Sequence, residues 1–323
     1  MASSAGTWPT AAESASSEPT PLRRVLSRAF QGMQDSSGVE LAFSVLNGEL
    51  NAIRSAAPPQ VWTHSLKRQC QSHPLASVLH EDPYTARAFE KPRGFAGDAA
   101  ALDFVYNERP PSGTSARGRA IFAQTTASPS AASVRDRLTR LTRAVQQASA
   151  ERSGARVAAI ACGHLRELAS LDSDSLARLD RVIAIDHDKE ALSEVSRTRV
   201  GECVEPTLSS VRSIIGRRLV IEDLDLVYAA GLFDYLSDDV STRLIRRMLS
   251  FLRPGGRLLI GNFTPENWGR GYMESFMDWT LHYRSAEDLR TLGRHASEEH
   301  SIAMERVTVD DLGNIAYLEL TRS

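Results

Sequence analysis

ARVAAIACGHLRELA, residues 155–169, is the stretch whose reading decides the fold. Val157, Ala158, Ala159, Ile160 and Ala161 form a short unbroken apolar run. Such a run suits a central parallel strand covered on both faces. Cys162 and Gly163 interrupt it, and His164 to Leu171 resumes with helical spacing. The pattern predicts a strand, a tight turn and the start of a helix. A turn of small residues lets a ligand approach the backbone and the helix N-terminus. A second strand, Arg181 to Ile185, ends on Asp186. That acid lies about 20 residues beyond the turn, where a nucleotide-binding βαβ unit places its ribose-binding carboxylate.

Downstream of residue 155 strands alternate with helices. Strands are expected at 156–161, 181–186, about 202–206, 224–229 and 256–262, with helices at 188–198 and over Ser241 to Leu252. Arg253-Pro254-Gly255-Gly256 reads as a helix stop and a turn into the next strand. Ile302 to Thr308 and Ile315 to Thr321 flank Asp310-Asp311-Leu312-Gly313-Asn314, a hairpin signal. The order describes an α/β fold: a Rossmann-like, mostly parallel sheet of seven strands finished by a C-terminal antiparallel hairpin.

Upstream, Met1 to Thr20 is rich in Ser, Ala, Thr, Pro and Glu and is expected to be disordered. Residues 21–150 read as a helical N-terminal cap, and 151–323 as the nucleotide-binding domain with an insert over 263–290. Leu22, Val25, Leu26 and Phe30 share one helical face; Leu41, Phe43, Leu46 and Leu50 suggest a second helix, ended near Ala57-Pro58-Pro59. Val61–Gln69 and Leu75–His80 read as shorter pieces. Pro92-Arg93-Gly94 and Ala96-Gly97 break two helices, and Asp98 can cap the second. Residues 109–117 form a loop, and Val134–Ala148 leads into the first strand.

Composition excludes several classes. Lys+Arg is 38 against Asp+Glu 40, a net charge of -2, so the basic excess of a nucleic-acid footprint is missing. Cys70, Cys162 and Cys203 lie far apart without CxxC spacing. A disulfide framework or structural zinc site is not expected, and a reducing cytoplasm fits. No apolar run is long enough for a membrane span, and the N-terminus lacks the pattern of a secretory signal.

The motifs resemble those of class I S-adenosylmethionine (SAM) methyltransferases over about residues 90–323. ACGHLREL at 161–168 resembles their glycine-rich first motif and RVIAIDHD at 181–188 the second. DLVYAAGLFDYL at 225–236 resembles the fourth, and LRPGGRLLIGNF at 252–263 the strand motif after it. One departure stands out: of the first motif's glycines only Gly163 is present, and Ala161 and Leu165 take the other places. The loop is similar to that of a narrower bacterial group with an ACGxxRE-like string. That group also carries an EKPRGYAGD-like segment, matched here by Glu90 to Asp98, and an insert matched by Asn262 to Arg284. Its members include enzymes that methylate carboxylates, giving fatty-acid or small dicarboxylic-acid methyl esters.

The resemblance implies SAM as cofactor and assigns residues to it. Ala161, Cys162 and Gly163 would leave the backbone open to the cofactor's sugar and methionine portion. Asp186 would accept from both ribose hydroxyls. His187, Ser210 and Val211 would flank the adenine, and Ala229, Ala230 and Gly231 would line the methyl-transfer face. Substrate candidates come from two segments: Arg93 and Phe95 in the Pro-Arg-Gly-Phe break, and Tyr272, Trp279, His282, Tyr283 and Arg284 in the insert. A carboxylate acceptor, with a pKa of about 4, is already ionised at neutral pH and needs no general base. A phenol or amine would want one, for which His164 is a candidate. No residue is assigned a catalytic role and no metal is expected.

The expected activity is therefore methyl transfer to a small-molecule acid. Left open beside it are an O- or N-methyltransferase acting on a phenol or amine of a secondary metabolite, an NAD(P)-dependent oxidoreductase, and a SAM-binding module without catalysis. DNA methylation is disfavoured because the fourth motif reads AAGL. The helical N-terminal part could be a lid, the surface of a homodimer, or both.

Overall fold

A computed structural model describes residues 20–198 and 202–323. The tail over Met1–Thr20 lies, except for Thr20, outside the described residues. The rest divides into two compact units. One comprises residues 20–96, 108–127 and 268–279; the other comprises 97–107, 128–198, 202–267 and 280–323.

The second unit is built on one seven-stranded sheet: β1 (Ala155–Ile160), β2 (Leu179–Asp186), β3 (Val204–Leu208), β4 (Leu224–Ala229), β5 (Leu252–Phe263), β6 (Ile302–Val309) and β7 (Ile315–Arg322). Their order is β3-β2-β1-β4-β5-β7-β6. Neighbours from β3 to β5 pair in parallel; β7 pairs antiparallel with both β5 and β6. This is the expected α/β, Rossmann-like architecture with its C-terminal hairpin. β1 and β4 are buried nearly throughout, which is why Val157–Ile160 and Leu226–Ala229 are apolar runs rather than alternating ones. Strand order reverses between β1 and β4, and ligands of open α/β sheets bind outside the carboxyl ends of the strands at such a point.

Several boundaries differ from expectation. The helix expected over Ser241–Leu252 is Asp238–Leu249, β3 is Val204–Leu208 rather than about 202–206, and β5 starts at Leu252 rather than at Gly256. Leu224 pairs with Leu252 but Leu226 with Arg257, so the Pro254-Gly255 turn is absorbed as an irregularity inside the strand, with Gly255 at φ 77°. The helix expected over His164–Leu171 does not form. A 3₁₀ turn spans Leu168–Ser170, and the next helix is Ser173–Ala177, capped by Asp172. Leu165 at φ 52° cannot continue a right-handed helix.

The first unit is helical. Thr20 caps the Pro21–Gly32 helix. In the Val39–Ala56 helix the buried positions are Val39, Phe43, Leu46, Asn47 and Leu50. Leu41, expected among them, is 74% exposed because it lies two residues from Val39 and points the opposite way. The expected stop at Ala57 is observed. Val61–Gln69 is not a separate piece: helical residues run from Pro59 to Ser72 through a π turn at Trp62–Leu66. The Arg270–Phe276 helix belongs to this unit although it comes from the insert after β5. Gly271 N donates to Asn51 Oδ1 at 2.7 Å, and a Cβ at Gly271 would lie 2.9 Å from the Leu50 carbonyl carbon. Only glycine permits that approach. Buried Glu274 accepts from Arg54 Nε at 2.6 Å and Arg270 Nε at 2.9 Å.

The β6–β7 turn rests on one side chain. Asp310 Oδ1 accepts from Asn314 N at 2.7 Å and from Ile315 N at 3.2 Å, both buried. Asp310→Ala leaves those donors unsatisfied and is expected to cost about 1–3 kcal/mol, read as a lower urea midpoint at unchanged slope.

Candidate functional site

The carboxyl ends of β1 and β2 are tied together by Asp186. Its Oδ2 accepts from Gly163 N at 2.9 Å and its Oδ1 from Asp188 N at 2.9 Å. Cys162 N reaches Ile185 O at 3.1 Å, and Ser209 N reaches Asp186 O at 2.9 Å. The last bond brings the loop after β3 to the same place. Asp186 is 6% exposed. Each of its oxygens still has a lone pair beyond the backbone bond it accepts.

The loop after β1 alternates in handedness. Ala161, Gly163 and Leu165 have φ of 54°, 53° and 52°. The positions where the resemblance led us to expect glycines are thus the ones whose backbone is left-handed. Alanine and leucine meet that demand under strain, which costs about 1–2 kcal/mol per non-glycine residue. Gly163 has a second reason to be glycine: its Cβ would lie 3.2 Å from Ala99 Cβ.

His164, next in the loop, is buried and held by Asp103 of the Ala99–Asn107 helix. Its Nδ1 lies 2.8 Å from Asp103 Oδ2, and its Nε2 is buried with no partner among the described residues. Arg166 donates to the same carboxylate through Nε at 2.9 Å and Nη2 at 2.6 Å. Burial alone would raise the Asp103 carboxyl, but the Arg166 and His164 hydrogen bonds outweigh it and hold its pKa at about 2. Asp98 caps this helix as expected, accepting from Ala101 N at 2.8 Å.

The other expected cofactor residues fall as follows. His187 Nδ1 is 3.3 Å from Asp186 Oδ1, and its side chain is 59% exposed. Ser210 caps the short Val211–Ile215 helix by accepting from Ser213 N at 3.2 Å; half-buried Val211 packs against the sheet core. Ala230 and Gly231 follow the end of β4. Ala229 is fully buried, so its side chain lines no surface, contrary to expectation. Burial raises the Cys162 thiol well above its ordinary value.

The substrate candidates are divided between the two units. Arg93, Phe95, Tyr272 and Trp279 belong to the first unit, and His282, Tyr283 and Arg284 to the second. Arg93, Phe95 and Tyr283 are half-buried; the His282 ring is exposed, with its backbone N bonded to Asp234 O at 2.7 Å. Tyr272 is buried, its hydroxyl 2.9 Å from Thr85 Oγ1. Trp279 is buried and its Nε1 has no partner among the described residues.

Arg284 requires correction. It is 3% exposed and every N–H is engaged by protein. Nε and Nη2 donate to Asp238 Oδ1 at 2.9 and 2.7 Å, Nη2 also to Leu236 O at 2.6 Å, and Nη1 to Phe233 O and Asn262 Oδ1, both at 2.8 Å. No donor is left for a substrate carboxylate; the residue clamps the segment after β4 to the end of β5.

Sequence reasoning passed over Arg137 of the Pro129–Glu151 helix. It is 5% exposed, and Nη1 donates to Ala230 O at 2.9 Å, beside Gly231. The signal was present. Ser130, Val134, Arg137, Leu141, Val145 and Ala148 share the buried stripe, and an arginine in such a stripe is out of place. Glu167 was missed too: it is buried, accepts from Tyr228 Oη at 2.5 Å, and has its pKa raised by burial.

Among the described residues no group of three or more His, Cys, Asp or Glu side chains could hold a metal ion, and no helix is long and apolar enough to cross a membrane. No protein-family model matches the chain, and no curated protein matches it in sequence. Among solved structures, a protein from Bordetella parapertussis described as possibly exported is 19% identical at TM-score 0.62, covering 95% of this chain and 99% of its own. The N-methyltransferase NodS from Bradyrhizobium japonicum, in complex with S-adenosyl-L-homocysteine, is 18% identical at TM-score 0.42, covering 58% of this chain and 87% of its own. Magnesium protoporphyrin IX methyltransferase from Synechocystis is 15% identical at TM-score 0.41, covering 59% and 87%. At 19% identity the likeness to the Bordetella parapertussis protein is one of fold.

Two substitutions test the loop. Gly163→Ala adds left-handed strain and a contact with Ala99, and is expected to lower stability by about 1–2 kcal/mol. Ala161→Gly removes strain and is expected to leave the denaturation midpoint unchanged or raise it. Equal losses in both would show that the loop is not strained. Arg284→Met strips donors from buried acceptors and is expected to cost about 3 kcal/mol or more; an unchanged midpoint would remove its structural role.

Proposed function

We propose that the chain is a SAM-dependent methyltransferase whose acceptor is the carboxylate of a small-molecule acid, working in a reducing cytoplasm. The observation that carries the reading is Asp186. A buried carboxylate, fixed by the backbone at the ends of β1 and β2, keeps an acceptor site on each oxygen. That is what a ribose diol needs. The residues present fit the cofactor on this ground and on the half-buried Gly163, which puts no side chain in the loop. Asp186 would hold the ribose, Gly163 the sugar and methionine portion, and His187, Ser210 and Val211 the adenine. When bound, SAM supplies a methyl group activated by a sulfonium.

Holding the acceptor oxygen in line with that methyl is the main task left to the protein, an effect worth up to about 7–11 kcal/mol. For a carboxylate no proton has to move. Arg93, Tyr272, Trp279 and Tyr283 are the side chains whose chemistry suits holding an acid, with Phe95 and His282 beside them in sequence. A second reading is favoured by His164. Its Nδ1 is oriented by Asp103 and its Nε2 has no partner among the described residues, the arrangement of a base that would take a proton from a phenol or amine.

Calorimetry with SAM, and separately with NAD, decides the nucleotide. Asp186→Ala is expected to weaken SAM binding by about 1–3 kcal/mol, or roughly 10- to 100-fold; unchanged affinity would take Asp186 out of the site. Transfer of a labelled methyl to a panel of mono- and dicarboxylic acids, followed by mass spectrometry, decides the acceptor. For an acid of pKa about 4, kcat/KM is expected to be flat between about pH 6 and 8. A rise across that range, abolished by His164→Gln, would favour the base-assisted reading.

A further inference from the structure

We propose that Arg137 and Tyr317 form a receptor for a carboxylate at the carboxyl end of β4. The inference rests on the methyltransferase reading for the identity of the carboxylate, but not for its chemistry.

The first observation is a buried cation without a counterion. The Arg137 guanidinium donates to Ala230 O at 2.9 Å, and Tyr106 acts on it electrostatically. Among the described residues no carboxylate lies within ion-pair distance of it. The acids that reach it through space are engaged elsewhere: Asp234 Oδ1 accepts from Phe263 N at 2.7 Å, and Glu167 Oε1 from Tyr228 Oη at 2.5 Å. Burial acts against the charged form of Arg137, but Tyr106, Tyr317 and Asp234 outweigh it, so the group stays protonated. A guanidinium carries more donors than this bond uses, and buried charges in native structures are as a rule paired. Its planar fork fits a carboxylate in two parallel bonds.

The second observation is independent. Tyr317 on β7 is fully buried, and its hydroxyl has no partner among the described residues. Tyr317 pairs with Gly261 of β5. A Cβ at Gly261 would lie 3.2 Å from Tyr317 Cε1 and 3.4 Å from Ala230 O, the atom that Arg137 holds. A Cβ at Gly231 would lie 3.5 Å from Arg137 Nη1. The unused guanidinium donors and the edge of the phenol ring therefore converge where Ala230, Gly231 and Gly261 contribute almost no side chain. Arg140 Cζ sits 4.4 Å from the centre of the Tyr317 ring and fixes its position.

A carboxylate there could come from either of two molecules: the amino-acid end of the cofactor, or the acceptor. Both share the recognised group. Tyr317→Phe deletes only the hydroxyl and keeps the ring; Arg137→Gln removes the charge. S-adenosylhomocysteine and 5′-methylthioadenosine, which lacks the amino-acid end, are titrated into the wild type and both variants. An acid that the wild type methylates is followed by initial rates. A loss of about 10-fold or more in S-adenosylhomocysteine affinity, with methylthioadenosine binding unchanged, assigns the receptor to the cofactor. A similar rise in the acid's KM, with S-adenosylhomocysteine affinity unchanged, assigns it to the acceptor. Folded Tyr317→Phe and Arg137→Gln proteins that match the wild type in both assays overturn the proposal.

Failure of the methyltransferase reading is separable. If the wild type does not bind S-adenosylhomocysteine, its thermal midpoint is measured with acetate, succinate and hexanoate. Stabilisation that Arg137→Gln and Tyr317→Phe abolish keeps the carboxylate receptor and removes only the methyltransferase. No stabilisation by any of the acids removes both.

Discussion

The hydrogen bond from Gly163 N to Asp186 Oδ2 joins the two strands on which the candidate site is built. Parallel strands are registered by their ladder, but the ladder ends where each strand ends. Beyond it, the loop after β1 has to turn sharply enough to present its amide to the next strand's last side chain. It does so by alternating left-handed residues at Ala161, Gly163 and Leu165. Strain at two of the three persists only because surrounding structure imposes it. Leu165 is buried, and His164 between it and Gly163 is fixed to Asp103. The same carboxylate then takes Asp188 N, which starts the following helix, while its backbone carbonyl takes Ser209 N from the loop after β3. One aspartate thus sets the relative positions of three loops.

That arrangement explains what could be read in the chain and what could not. β1, β2 and β4 were legible because full burial on both faces demands unbroken apolar runs. The Asp98 cap and the Asp310 turn were legible because a short carboxylate serves backbone donors within a few residues of itself. The His164–Leu171 helix was misread because apolar spacing carries no information about φ. Leu165 and Leu168 are spaced as on a helix and are both buried, yet one is left-handed. The start of β5 was misread because proline and glycine signal a turn without saying whether it ends a strand or bulges it. In the helical region, α-helices were foreseen, but no local signal says that residues 268–279 pack with residues from the first third of the chain. That depends on Gly271 meeting Leu50 and Asn51, a contact far apart in sequence.

The site residues divide along the same line. Gly163 and Asp186 could be singled out because both sit at a strand end, where they bond to each other. Arg284 was assigned from residue type alone, and residue type does not say how many donors the fold has already taken. Arg137 was overlooked for the opposite reason: it lies in a helix that otherwise reads as packing. What separates these two arginines is how the fold treats their donors. Both are almost entirely withdrawn from water, so both had to be compensated. Around Arg284 the compensation is complete: an aspartate, two backbone carbonyls and an asparagine use every N–H. Around Arg137 it is partial, with a carbonyl and a phenol close by and the acids at a distance, each already serving another donor. A fold that can saturate one buried guanidinium within the same sheet has the means to saturate another. Leaving one short of an anion, beside a phenol equally short of a partner, is costly in the absence of a ligand. The cost is recovered only when something anionic arrives, and a carboxylate supplies the acceptor oxygens and the charge that both groups lack.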